Sequence, residues 1–119
     1  MLRGIRGAIE VKANTSEAIL AAAEELMRAL IETNRVKQEF VSAVFFTVTP
    51  DLNGTFPAAV RTKIGWNLVP FLCCQEIPVE GALHKILRVL VLWETDRAQE
   101  EIRHQYLGGA ASLRPDLKT

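Results

Sequence analysis

The sequence has few of the residues that most enzymes use for acid–base or nucleophilic chemistry. Its 119 residues include two histidines, two cysteines and one tyrosine. It contains no glycine-rich phosphate loop ahead of a helix, no serine elbow and no histidine spacing typical of a metal site. A function built on a bound metal, a phosphate loop or a covalent intermediate is therefore disfavoured.

The two cysteines, Cys73 and Cys74, are adjacent. That spacing suits neither an ordinary disulfide nor the paired ligands of a zinc site, and the chain has no further cysteine to complete one. We expect both thiols to be reduced and to lie in a core strand.

The chain also lacks an excess of charge of either sign, with 14 basic and 14 acidic residues. Without a basic field, nucleic-acid binding is disfavoured. Residues 1–7 lack the apolar run of a signal peptide, and Arg88 interrupts the one segment that approaches membrane-like hydrophobicity. We expect one cytoplasmic domain over residues 1–119, with neither a membrane nor nucleic acid as partner.

Four segments have the residue patterns of β-strands. Residues 2–12 alternate between two faces, and residues 42–49 are rich in β-branched and aromatic side chains. Residues 68–74 and 86–93 are further extended, mostly apolar runs. Two of these strands are apolar on both faces, as in a sheet that is covered on both sides.

One long amphipathic helix is predicted between the first two strands. It follows capping residues at 14–17 and ends near Asn34. Pro57 can begin a short helix that Gly65 ends, and only short, mixed structure is expected after residue 96. The sequence thus predicts an α/β (α+β) fold, a mixed sheet with one long helix. Because one helix covers one face, we expect a second copy of the chain to cover the other.

Arg88 is the least expected residue of this pattern, because it interrupts the apolar run 86–93. We expect this strand, and Arg88 with it, to be buried, and a buried charge is costly unless an anion meets it. Arginine forks match carboxylates at two points, so a set of arginines suits a polycarboxylate ligand. The candidates are Arg6, Arg61, Arg88 and Arg114.

Each candidate also has a plainer interpretation. Arg61 and Arg114 could be solvated surface charges, and Arg6 an edge arginine. Glu76, where the chain leaves a core strand, could contact a ligand or simply pair with Arg88. Tyr106 could donate its hydroxyl to a ligand or only pack. The two histidines, His84 and His104, are expected to be surface imidazoles.

Seven short fragments, in order along nearly the whole chain, together resemble the monofunctional AroH-type chorismate mutases. They are residues 3–8 (RGIRGA), 49–52 (TPDL), 56–58 (FPA), 65–66 (GW), 75–76 (QE), 102–104 (IRH) and 113–117 (LRPDL). The resemblance implies a homotrimeric pseudo-α/β-barrel with active sites at the subunit interfaces. It also implies the intramolecular Claisen rearrangement of chorismate to prephenate, on the route to phenylalanine and tyrosine, without cofactor or metal.

The resemblance also implies roles for individual residues. Arg88 would bind the ether oxygen and a side-chain carboxylate, which Arg6 and Tyr106 would also hold. Glu76 would accept the ring hydroxyl with help from Cys73. The apolar walls would be Phe56, Ala58, Leu72 and Leu113, while Arg61 and Arg114 would attract or cover the ring carboxylate. The chain departs from the family pattern by one missing residue between Ala58 and Val60.

Two other functions fit the same residues. One is a non-catalytic trimeric protein of similar architecture, in which the arginines capture a small carboxylate. The other is a structural interaction module in which Arg88 merely pairs with Glu76.

Overall fold

The computed structural model describes residues 1–113 and contains one mixed sheet with a long helix across it. The strands stand in the order β3-β2-β4-β1-β5. Strand β4 is antiparallel to both β1 and β2, whereas β3 runs parallel to β2 and β5 parallel to β1. The elements are β1 (Leu2–Glu10), α1 (Ser16–Asn34), β2 (Val41–Val48), β3 (Phe71–Gln75), β4 (Ile86–Glu94) and β5 (Gln105–Leu107). The prediction of a mixed sheet with one long helix is confirmed.

Helix α1 begins and ends close to the predicted positions. Its N-cap is Thr15, whose hydroxyl accepts a hydrogen bond from the Ala18 N–H at 3.1 Å. The helix ends at Asn34, followed by Arg35 in the left-handed region at φ 58°. No helix among residues 1–113 is long and apolar enough to cross a bilayer.

The helix packs against one face of the sheet, which we call the covered face. Leu26 and Leu30 of α1 are fully buried there, as are Ile5, Phe46 and Val91 from the central strands. Burial of such large side chains contributes about 1.5–3 kcal/mol each, so this face supplies most of the hydrophobic stabilisation of the chain.

The opposite face, which we call the bare face, carries no α-helix from residues 1–113. On this face, Arg88 of β4 pairs with Thr47 of β2 and Ala8 of β1, and Leu90 pairs with Phe45 and Arg6. Short 3-10 turns at Gly108–Leu113 cover only one end of it, where Ala8, Ile86, Tyr106 and Ala110 form a small buried cluster. Leu90 is 36% exposed and Leu72 of β3 is 55% exposed. Apolar surface is thus left open beside the arginines.

The expectation of short, mixed structure after residue 96 is confirmed, but this part of the chain includes a fifth strand, β5, which the count of four strands missed. The expectation that Arg88 is buried is wrong, because its side chain is 40% exposed on the bare face. Strand β5 has too few residues to show a periodicity, and tertiary contacts hold it. The buried Asn34 amide bonds both the N–H and the C=O of Arg103, at 2.9 and 3.0 Å.

Candidate active site

An open cleft of about 370 Å³ lies on the bare face and is called the bare-face cleft here. Four of its residues are the predicted catalytic ones: Arg6, Glu76, Arg88 and Tyr106. They come from β1, from the chain just after β3, from β4 and from β5. The rest of the lining is Gly7, Phe45, Thr47, Val89 and Leu90.

The sheet brings these four residues together by register. Ala8 of β1 pairs with Arg88 on one side and Tyr106 on the other, and Arg6 is two residues away on the same face. Gly7 permits the close packing of β5, because a Cβ there would stand 2.9 Å from the Gln105 carbonyl oxygen. The glycine beside Arg6 therefore sets where Tyr106 lies.

Arg88 and Glu76 form an ion pair in the floor of the cleft. The Arg88 Nε atom is 3.0 Å from the Glu76 Oε2 atom. The same Nε atom is buried and has no hydrogen-bond partner among residues 1–113, so its N–H does not point along that contact. Instead, Glu76 Oε2 accepts a hydrogen bond from the Thr47 hydroxyl. The attraction between the two charges therefore holds the pair together without a hydrogen bond between them. The Nε–H of Arg88 remains unsatisfied within residues 1–113.

The first half of β1 has side-chain partners on the edge that faces β5. The Arg6 N–H donates to His104 Nδ1 at 2.9 Å, and Gln99 exchanges two hydrogen bonds with the backbone of Gly4. His104 is half-buried, so its interpretation as a surface imidazole is wrong. Its role in this structure is to fix the backbone that carries Arg6.

A second cleft of about 530 Å³ opens on the other side of the ion pair, under the chain at 76–84. Glu76 and Arg88 line both clefts. The rim opposite that chain includes Asp51, whose carboxylate accepts from the Lys85 N–H at 2.9 Å. Slight desolvation raises the pKa of Asp51, but hydrogen bonds from Thr49 and Lys85 outweigh it and hold this pKa below its usual value.

The remaining predicted residues of β3 and the preceding turns lie at the other edge of the sheet, away from the bare-face cleft. Phe56 is 75% exposed, and Arg61 and Leu72 are also exposed. Cys73 points to the covered face with Phe46, and burial raises its thiol pKa, although the Ala58 N–H partly offsets this. These residues form a second group, at the β3 edge: Phe56, Ala58, Arg61, Leu72 and Cys73.

The two predicted residues near the C-terminus have different outcomes. Leu113 is half-buried and packs against the cluster that contains Tyr106, next to the cleft. Arg114 lies outside the described residues. Both cysteines are free, with Cys73 half-buried and Cys74 exposed. Among residues 1–113, no group of three or more histidine, cysteine and acidic side chains could hold a metal ion.

Five residues that line the cleft were not predicted as site residues: Gly7, Phe45, Thr47, Val89 and Leu90. In the sequence, Thr47 is an ordinary β-branched residue of a strand. Its place opposite Arg88 follows only from the register that pairs β2 with β4, which no local pattern specifies.

Comparisons with known proteins agree on one family. The family described as chorismate mutase type I matches residues 2–117. The protein named Chorismate mutase AroH from Thermus thermophilus is 48% identical over 120 residues, covering 100% of this chain and 98% of that protein. Its counterpart from Bacillus subtilis is 47% identical, covering 98% and 93%. A solved chorismate mutase from Clostridium thermocellum superposes with a TM-score of 0.89 at 37% identity, covering 92% of this chain and 97% of that one.

Proposed function

The chain belongs to the chorismate mutase type I family, and we propose that its bare-face cleft rearranges chorismate to prephenate. This isomerisation is a step on the route to the aromatic amino acids, and it requires no cofactor because it is intramolecular. We further propose that the protein acts in the cytoplasm. The observation that carries the proposal is the convergence of Arg6, Glu76, Arg88 and Tyr106 in one cleft.

The rearrangement needs correct folding of the substrate and stabilisation of charge, rather than a nucleophile or a proton carrier. Negative charge develops on the ether oxygen as its bond to carbon breaks, and a fixed donor beside that oxygen lowers the barrier. The Arg88 side chain is 40% exposed and lines the cleft, so its guanidinium is accessible to a substrate oxygen there. Arg88 would therefore bind the ether oxygen and the side-chain carboxylate.

The other three residues would orient the substrate. Arg6 and Tyr106 stand beside Arg88 across the sheet and would hold the same carboxylate, so that the enolpyruvyl group folds over the ring. Glu76 would accept the ring hydroxyl with the oxygen that Thr47 does not occupy. Leu113, packed beside Tyr106, would form part of the apolar wall.

We propose that three copies form a ring and complete one another's clefts. The β3-edge group of one copy (Phe56, Ala58, Arg61, Leu72 and Cys73) would meet the bare-face cleft of the next. Contacts between two different patches close into a ring, and this contact would cover the exposed apolar residues Phe56, Leu72 and Leu90. The mass of the protein in solution, measured by sedimentation, should then equal three chains.

Turnover of chorismate tests the function. The purified protein should consume chorismate and form prephenate, and Arg88→Lys should lower kcat by about a hundredfold to a thousandfold, because a point charge does not reproduce the two-point fork. Arg28→Lys is the matched control, since Arg28 pairs with Glu24 on the exposed face of α1. Near-normal turnover by Arg88→Lys would show that Arg88 does not have this role.

Two alternatives have distinct outcomes. A non-catalytic carboxylate-binding protein would bind chorismate without converting it. The 3.0 Å contact between Arg88 and Glu76 is the observation that favours a structural pair. If the protein is a structural module and the pair only holds it together, the wild-type protein should not convert chorismate, and replacing both residues by apolar ones should leave the assembly intact or stabilise it. The proposed function predicts retained folding with turnover lost.

A further inference from the structure

The Arg88–Glu76 pair combines a short distance with a missing hydrogen bond. Arg88 Nε is 3.0 Å from Glu76 Oε2, yet this buried nitrogen has no hydrogen-bond partner. An arginine and a carboxylate this close normally align into a strong charge-assisted bond. Something must therefore hold the carboxylate away from the direction of the Nε–H.

Strand β2 holds Glu76 at two points. The Glu76 N–H donates to the Val48 carbonyl oxygen at 2.8 Å, which fixes the backbone. The Thr47 hydroxyl donates to Oε2, the same oxygen that lies near Arg88. Because Thr47 pairs directly with Arg88 across β2 and β4, its hydroxyl stands beside the ion pair on the bare face.

We propose that Thr47 is a positioning residue of the active site. Its hydroxyl binds the Glu76 carboxylate beside Arg88 and fixes its orientation, so that Glu76 does not occupy the guanidinium donors that would bind the anionic oxygen of the substrate. A fixed Glu76 therefore does not compete with the substrate for Arg88. This inference rests on the proposed function, because it assigns the Arg88 guanidinium to the reacting ether oxygen.

The proposal predicts which kinetic constant changes. Without the hydroxyl, Glu76 is free to rotate and to hydrogen-bond the Arg88 guanidinium, and the substrate must then displace a resident anion as charge develops. We expect Thr47→Val, which keeps the shape of the side chain, to lower kcat by about tenfold to a hundredfold with a smaller change in KM. Thr47→Ser keeps the hydroxyl and should stay within about threefold of the wild type.

A double-mutant cycle distinguishes this role from a general effect on folding. If Thr47 acts through Glu76, Thr47→Val should cause no further loss of kcat in a Glu76→Ala background. An equal further loss in that background, or a Thr47→Ser variant as slow as Thr47→Val, would overturn the proposal. Thermal unfolding of each variant provides the folding control, and Thr47→Ala replaces Thr47→Val if the latter does not fold.

The test separates this proposal from the proposed function. Turnover by the wild-type protein and its loss in Arg88→Lys test the proposed function without involving Thr47. If both hold while Thr47→Val keeps normal kcat, the function stands and the role of Thr47 is wrong. If the wild-type protein does not convert chorismate, the proposed function is wrong and the inference from it falls as well.

Discussion

The two faces of the sheet are built from the same strands but have opposite chemical character. On the covered face, alternate residues such as Ile5, Phe46 and Val91 are fully buried under α1. On the bare face, their direct neighbours include Arg6, Thr47 and Arg88, in an open cleft. One face stabilises the chain, and the other holds the groups that we assign to catalysis.

The comparison shows how a rigid site can carry an unsatisfied donor. A buried N–H without a hydrogen bond costs free energy, on the order of 1–3 kcal/mol. The Arg88 Nε–H is such a group, and the fully buried face behind it supplies stabilisation that offsets its cost. Because β4 is the central strand, Arg88 is fixed by neighbours on both sides.

The largest expected effect comes from two adjacent phenylalanines that point to opposite faces. Phe46→Ala should lower the free energy of unfolding by about 3–5 kcal/mol, because it leaves a cavity under α1.

Phe45→Ala removes the same kind of side chain from the bare face and should act mainly on assembly. Denaturant unfolding at several protein concentrations checks this. The loss in Phe46→Ala should not depend on concentration, whereas the loss in Phe45→Ala should. Equal, concentration-independent losses would contradict the division between the faces.

A smaller effect is expected at Asn34, the last residue of α1, which holds the chain just before β5. Asn34 is fully buried, and its amide bonds the Arg103 backbone two residues before β5. Asn34→Ala should cost about 1–3 kcal/mol of stability by leaving these buried groups unsatisfied. It should also speed hydrogen exchange in β5 and lower turnover through Tyr106. The exposed Asn67→Ala is the control. Unchanged exchange in β5 would show that Asn34 does not hold this strand.

At acid pH, we expect a minor contribution from Asp51, which follows β2 and whose carboxylate accepts a hydrogen bond from the Lys85 N–H just before β4. The pKa of its carboxyl is lowered in the folded chain, so its stabilising contribution is present above the ordinary carboxyl pKa and is lost as the pH falls through the folded value. Asp51→Asn should therefore reduce stability at neutral pH and remove part of the acid sensitivity. Unfolding midpoints of both proteins between about pH 2 and 7 measure this. Parallel curves for the two proteins would contradict it.

The smallest expected effect is on the rate profile with pH. Because arginine does not titrate in the working range, kcat should be nearly constant between about pH 6 and 9. Initial rates with saturating chorismate check this expectation. A bell-shaped profile near neutrality would instead implicate a histidine, such as His104 beside Arg6.

Periodicity predicted the elements whose patterns are long. The alternation of β1 and the amphipathic pattern of α1 gave both elements nearly to the residue, and they are the elements that bury the core. Strand β5 was missed because three residues carry no period, and the Asn34 contact that holds it is distant in sequence. The local sequence pattern therefore predicted the long elements of the covered face better than the short strand at the edge of the sheet.

The candidate site was predicted in part for a different reason. Arg88 was noticed because it contradicts its surroundings, but the conclusion that it is buried was wrong, since the sequence does not show that its face lacks a helix. The four residues proposed as catalytic came from the family resemblance, and the sheet brings them together by register. Thr47 had no signal at all, because its importance depends on which residue stands opposite it in β4.

The central claim is that Arg88 serves a transient anion and not only its resident partner Glu76. A structure of the protein with a bound dicarboxylate mimic of the transition state tests this most directly. The account predicts an anionic oxygen of the mimic within about 2.7–2.9 Å of a guanidinium nitrogen of Arg88, with Glu76 still accepting from Thr47. A mimic bound elsewhere, with the Arg88 guanidinium hydrogen-bonded only to Glu76, would contradict it.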